Sequence, residues 1–204
     1  MKTQLSTMLS LQEKMNQKVN ANWREQGFEW YRAIWTECAE LMDHYGWKWW
    51  KNQPADIEQS KLELVDIWHF ALSIFLSEHE DEADIITRIE TDWHEDKADV
   101  HFRELLESFT LDVLQTKSFD TKGFCNLLVA LDMPFDELYR IYVGKNVLNL
   151  FRQDHGYQDG TYRKLWQGRE DNEHLVEVAN ALDVSDELFH EKLYHGLESR
   201  YQQG

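Results

Sequence analysis

Apolar positions along this chain recur with a helical period almost throughout. Leu5, Met8, Leu9, Met15 and Val19 predict an amphipathic helix over residues 3–20. A polar connection through Arg24 and Gly27 leads to a second helix, 29–45, which Gly46 ends because glycine takes the terminating conformation without a Cβ penalty. Beyond Trp47-Lys48-Trp49-Trp50-Lys51 and a loop with Asn52 and Pro54, a third helix is predicted over 56–77. A charged stretch, 78–84, precedes further helices up to about Lys117. Residues 134–154 read as a long helix with Pro134 near its first turn, where a missing N–H costs nothing. Gly156, Gly160 and Gly168 mark a looped region around Tyr157, Tyr162 and Trp166, and one or two short helices, near 173–182 and 186–197, follow. No segment alternates as a convincing strand. The fold class is therefore all-α: a multi-helix bundle forming one domain over 1–204, with 78–133 as a candidate helical insertion or mobile subdomain.

The third helix is apolar nearly all round, from Ile57 through Leu64, Ile67, Trp68 and Leu72 to Leu76, and such a helix belongs in a core. Glu63 and Asp66 break that pattern and lie three residues apart, on one face. In the second helix Trp30, Ile34, Glu37, Leu41 and His44 make one stripe, which puts Glu37 where a core residue is expected, with Glu40 beside it. Ionised carboxylates in such places need neutralising. Lysine or arginine from other helices is one answer. Cations held between two facing carboxylate pairs are the other, and oxygen ligands favour Mg²⁺ or Mn²⁺ over zinc.

Composition narrows the function. The net charge of −17, from 21 basic and 38 acidic residues, disfavours a nucleic-acid polymer as partner. Cys38 and Cys125 fit no disulfide framework, zinc spacing or redox motif, so a reducing, cytoplasmic setting is expected. Cys38, beside Glu37, reads as inert packing, and His69, three residues after Asp66, as a hydrogen-bonded core residue rather than a ligand. The first twenty residues carry no signal-peptide core, and no stretch is apolar enough to span a bilayer, so no membrane partner is expected. In so acidic a chain, the stripe of Lys145, Asn149 and Arg152 at i, i+4 and i+7, with Arg163 and Lys164 beyond it, reads either as a phosphate site or as salt bridging to the many acids.

The pattern Glu37-x-x-Glu40, 22 intervening residues, Glu63-x-x-Asp66 is similar to the signature of the all-α NTP pyrophosphatases, which include MazG-like enzymes and dimeric dUTPases. Three blocks resemble the dUTPase branch: residues 30–35 (WYRAIW), 46–51 (GWKWWK) and 65–70 (VDIWHF). A fourth, from Lys145-Asn146-Val147-Leu148-Asn149 through Phe151-Arg152 to Gly156-Tyr157, resembles it too, and the likeness runs on to Gly160, Tyr162, Lys164 and Trp166. Residues 78–133 carry no matching motif.

The resemblance implies that Glu37, Glu40, Glu63 and Asp66 form the catalytic centre and bind two or three Mg²⁺ ions. It implies hydrolysis of dUTP, and of dUDP, to dUMP without a covalent intermediate, which limits uracil incorporation into DNA. It also implies a homodimer whose subunits share sites, uracil contacts from Gln12 and Asn16 on the first helix, phosphate contacts from Lys145, Asn149, Arg152 and Lys164, and a further substrate contact from Tyr157. Amide side chains suit the O4 and N3 edge of uracil. Trp47, Trp49 and Trp50 either stack on the base, with Lys48 or Lys51 meeting phosphate, or pack over the end of the bundle; the expectation is one nucleotide contact, Trp47 with Lys48 as candidates. The rivals are another nucleotide such as dCTP, a ferritin-like di-iron protein, for which only Asp66-x-x-His69 fits, and a non-catalytic helical interaction protein.

Overall fold

The computed structural model describes residues 1–78, 81–96 and 100–202. Among these, nine helices follow in order: α1 (Lys2–Val19), α2 (Trp30–Tyr45), α3 (Ile57–Ser77), α4 (Glu82–Asp92), α5 (Phe102–Thr116), α6 (Thr121–Ala130), α7 (Phe135–Asp154), α8 (Asp171–Asn180) and α9 (Phe189–Gln202). A 3-10 turn at Trp23–Glu25 and a two-stranded hairpin, β1 (Leu165–Trp166) with β2 (Arg169–Glu170), complete the set. The all-α expectation holds. The tiny hairpin is a correction to the strand-free reading: Gln167 and Gly168 both take positive φ (52° and 79°), the two-residue turn that lets neighbouring strands pair. Helix α6 lies in a stretch left unassigned by the spacing, and α9 runs past the expected 197. No described helix is long and apolar enough to cross a membrane.

The residues group into two compact units, Met1–Leu138 and Tyr139–Gly204. In the first, α2 and α3 pack antiparallel: Trp30 stacks on Phe70 at one end (6.2 Å between centroids), and the Asp56 N–H donates to the His44 carbonyl at the other (2.9 Å). Asp56 also caps α3, its carboxylate accepting from the Gln59 N–H at 3.1 Å. Helix α3 is buried along most of its length, as its apolar circumference requires, with only Ile57, Glu58 and Gln59 of its first turn exposed.

The motif-free stretch supplies the packing behind α3. Trp68 stacks on Phe124 of α6 (5.3 Å, 12° between planes) and meets Phe119 and Trp93 edge-on (5.9 and 6.2 Å). Phe109 of α5 closes on Phe119 at 5.7 Å. Aromatic pairs of this kind add to the stability that their buried area brings. Residues 79–80 and 97–99 of that stretch lie outside the described residues. In the second unit Phe151 of α7 is the hub, in contact with His155, Trp166, Tyr194 and Tyr201. Trp166 is held by its indole N–H to the Arg163 carbonyl (2.6 Å), and its own carbonyl pairs with His174 Nε2 (2.9 Å).

Candidate metal centre

The antiparallel pairing of α2 and α3 brings the two acidic pairs together. Ligand oxygens of Glu37, Glu63 and Asp66 all lie within 4.8 Å of one another. Glu63 is buried, with 8% of its surface exposed, while Glu37 and Asp66 are half-buried. Glu40 is exposed and stands outside that trio, although its charge is felt at Glu37. His44 Nε2, one turn beyond Leu41 on α2, sits 3.3 Å from Glu63 Oε1 and is a member of the site that spacing placed on the stripe without a role.

The electrostatics of the trio are those of a cation site. Glu37 is pushed up to about 7 by burial first, then by the charges of Asp66, Glu40 and Glu63. Negative charge thus prevails around it, enough to hold a proton near neutral pH. A divalent cation among these oxygens relieves the same repulsion, so the donor set fits a hard metal ion. Cys38, next to Glu37, has its thiol pushed up to about 12 by burial, so it stays protonated and offers no nucleophile.

One turn along α3 from Asp66 begins a buried polar network. His69 Nδ1 pairs with Gln12 Oε1 at 2.9 Å. Gln12 Nε2 donates to Asn16 Oδ1 (3.0 Å) and to Ser73 Oγ (3.1 Å), and Asn16 Nδ2 donates to Ser73 Oγ (3.0 Å). Gln12 and Asn16 are 5% and 6% exposed rather than solvated. Ser73 was not legible as a partner, because a serine in an apolar helix carries no signal until α1 is laid against it.

The tryptophan loop does not cap the bundle. Trp47, Trp49 and Trp50 are 44%, 89% and 58% exposed and pack edge-on against one another, 5.2–5.3 Å apart. Gly46, at φ +90°, turns the chain outward, and a Cβ there would meet the Gln53 carbonyl at 2.9 Å. Gln53 Oε1 accepts from the Trp47 and Lys48 N–H groups (3.2 Å each), while Asp43 accepts from the Trp47 indole (2.9 Å) and from Lys48 Nζ (2.6 Å). Lys48 is therefore already ion-paired.

In the second unit Lys145 is half-buried, and Asn149 and Tyr157 are exposed. Arg152 is paired with Asp171 at 2.8 Å and Lys164 with Glu170 at 3.1 Å. Both basic residues are thus engaged by acids from the start of α8 and the strand before it.

The family model described as dUTPase matches residues 4–157, well over half of the chain. The chain belongs to the dUTPase family. That is the all-α branch the acidic spacing resembles, and it makes the protein a dUTP diphosphatase, a nucleotide pyrophosphohydrolase that hydrolyses dUTP. dUTPases generally use a divalent metal, and the trio is a place that could hold one. The di-iron and non-catalytic readings are set aside by the same match. Among curated protein sequences no match to this chain was found. The matched residues span α1 to α7 and end at Tyr157, so Gly160, Tyr162, Lys164 and Trp166 lie beyond them.

Proposed function

We propose that the chain hydrolyses dUTP to dUMP and pyrophosphate, and dUDP to dUMP and phosphate, in a Mg²⁺-dependent reaction centred on Glu37, Glu63 and Asp66, with Glu40 at the rim. The observation that carries this reading is the convergence of three carboxylates from two helices within 4.8 Å. Two or three Mg²⁺ ions, with Mn²⁺ as a substitute, suit such oxygens. When bound, the cation neutralises triphosphate charge and acidifies water.

The chain's own groups divide the remaining work. Glu37 takes a proton from the attacking water, and Glu63, with His44 Nε2 3.3 Å from its Oε1, keeps its orientation. No covalent intermediate is required. Gln12 and Asn16 are the proposed readers of uracil, preferring it to cytosine. Asp66 and Ser73 are two turns apart on α3, about 10 Å by helical rise, a length that a deoxynucleotide covers between base and phosphates. Trp47 offers an exposed indole face to the nucleotide, with Lys48 beside it. Lys145, Asn149, Arg152 and Lys164 are the proposed phosphate contacts, with Tyr157 a further substrate contact. We assign both units to one domain over 1–204, in a cytoplasmic homodimer that limits uracil incorporation into DNA.

The test is pyrophosphate release from a panel of dNTPs, with Mg²⁺ and with EDTA. Fast turnover of dUTP, abolished by EDTA and weak with dCTP and dTTP, is expected. EDTA-resistant turnover would remove the metal assignment, and a preference for dCTP the base assignment.

A further inference from the structure

The stripe of Lys145, Asn149 and Arg152 on α7 is tied to an anchor outside the residues matched to the family. Arg152 Nε donates to Asp171 Oδ2 at 2.8 Å and its Nη2 to Oδ1 at 2.9 Å, a side-on bidentate pair. The Asp171 side chain is fully buried, whereas that of Arg152 is 19% exposed. The Tyr162 hydroxyl donates to Asp171 Oδ2 at 2.9 Å, and the Asp171 N–H donates to the Lys164 carbonyl at 3.0 Å. Asp171 is the first residue of α8, where a helix N-terminus favours negative charge. Its carboxylate stays ionised: burial pushes the pKa up, but the hydrogen bonds from Arg152 and Tyr162 outweigh it and hold it below the ordinary value.

The pairing has a directional consequence. Side-on contact occupies Nε and Nη2, so Nη1 faces the other way, where it donates to Asn149 Oδ1 at 3.3 Å. With its oxygen taken by a guanidinium, the Asn149 amide turns its NH₂ group away from Arg152. Asn149 is exposed, so the outer end of this chain of bonds presents N–H donors with the amide oxygen turned inward. A phosphate oxygen requires that arrangement. A pair whose sole task was to join α7 to α8 does not, since buried ion pairs bring little net stability over apolar contacts.

We infer that Asp171 is a positioning residue: it fixes the Arg152 guanidinium, and through it the Asn149 amide, as a donor pair for phosphate oxygens of the nucleotide, an inference that rests on the proposed use of Arg152 and Asn149. Tyr162 locks the carboxylate from its other side.

Two variants of the full-length protein, with Asp171→Asn alone as the reference for the second, test it, each followed by dUTP kinetics with Mg²⁺ and by thermal unfolding. Asp171→Glu keeps the charge but lengthens the arm by one methylene. It should raise KM roughly 10-fold, with kcat falling less, as expected for a misplaced charge-assisted donor. The double variant Arg152→Gln, Asp171→Asn replaces the ion pair by a neutral hydrogen-bonding pair. It should recover the Tm that Asp171→Asn alone loses, yet keep a KM raised by about 10-fold or more. A double variant with wild-type KM would reduce the pair to a structural strut and overturn the inference, as would a folded Asp171→Glu enzyme with wild-type KM. Wild-type protein that fails to turn over dUTP would overturn the functional reading and the inference together. An active wild type with unaffected variants overturns the inference alone.

Discussion

Glu63 and Glu37 occupy the same cluster but answer to different forces. Glu63 is the buried member, with His44 Nε2 3.3 Å from its Oε1, so Glu63→Gln removes a charge without removing volume. We expect dUTP turnover to fall by at least ~100-fold, as for loss of a transition-state electrostatic partner, with the thermal midpoint in EDTA unchanged or raised. Wild-type turnover by this variant would take the cluster out of the reaction. Glu37 gives a pH signature. Its folded pKa, about 7, lies above the ordinary value of 4.5. The folded protein therefore holds the proton more tightly, and the stabilisation is fully present below pH 4.5 and lost as pH rises through 7. In EDTA, the Tm should fall between pH 5 and 8, and Glu37→Gln should fall less steeply over that range. Equal slopes for the two proteins would show that Glu37 does not hold the proton.

At the scale of elements, the turn between α2 and α3 is tightly constrained. Gly46 takes φ +90°, and an added Cβ would meet the Gln53 carbonyl at 2.9 Å, whereas Gly27 takes φ +63° with nothing within 4 Å. Both alanine variants carry the left-handed strain, but only Gly46→Ala adds the clash. It should cost about 1–3 kcal/mol, lowering the Tm by roughly 2–10 °C for a chain of this size, and Gly27→Ala should cost less. Equal losses would mean that the loop yields freely. Arg103 of α5 donates to the Gly46 carbonyl at 2.7 Å, and Tyr45 lies against Phe102, so the motif-free stretch braces this turn as well as the back of α3.

For the whole molecule, the open question is assembly. Three indoles project from one turn, and Phe28, Trp35, Leu111 and Leu114 of the first unit are exposed as well. The proposed homodimer predicts a solution mass by light scattering of twice the 24.5 kDa chain, independent of Mg²⁺. A monomeric mass at micromolar protein would remove the dimer, and with it the sharing of sites between subunits.

Local periodicity was enough to reveal most of the helices, though not α6, together with the burial of α3 and the anomaly of Glu37, Glu63 and Asp66, because helical spacing directly encodes which residues share a face. The same spacing, with its flanking motifs, was enough to point to the family. Periodicity does not encode how far a helix is rotated about its own axis against its neighbour. That rotation left Glu40 exposed while Glu37 turned inward, and it joined Ser73 to two amides on α1 that looked solvated in isolation. The outward course of the tryptophan loop depended on one backbone conformation at Gly46 and its bonds to Gln53. The pairing of Arg152 with Asp171, 19 residues apart, was also beyond the sequence. Packing selects one partner for an arginine from many acids, and nothing in the spacing ranks them.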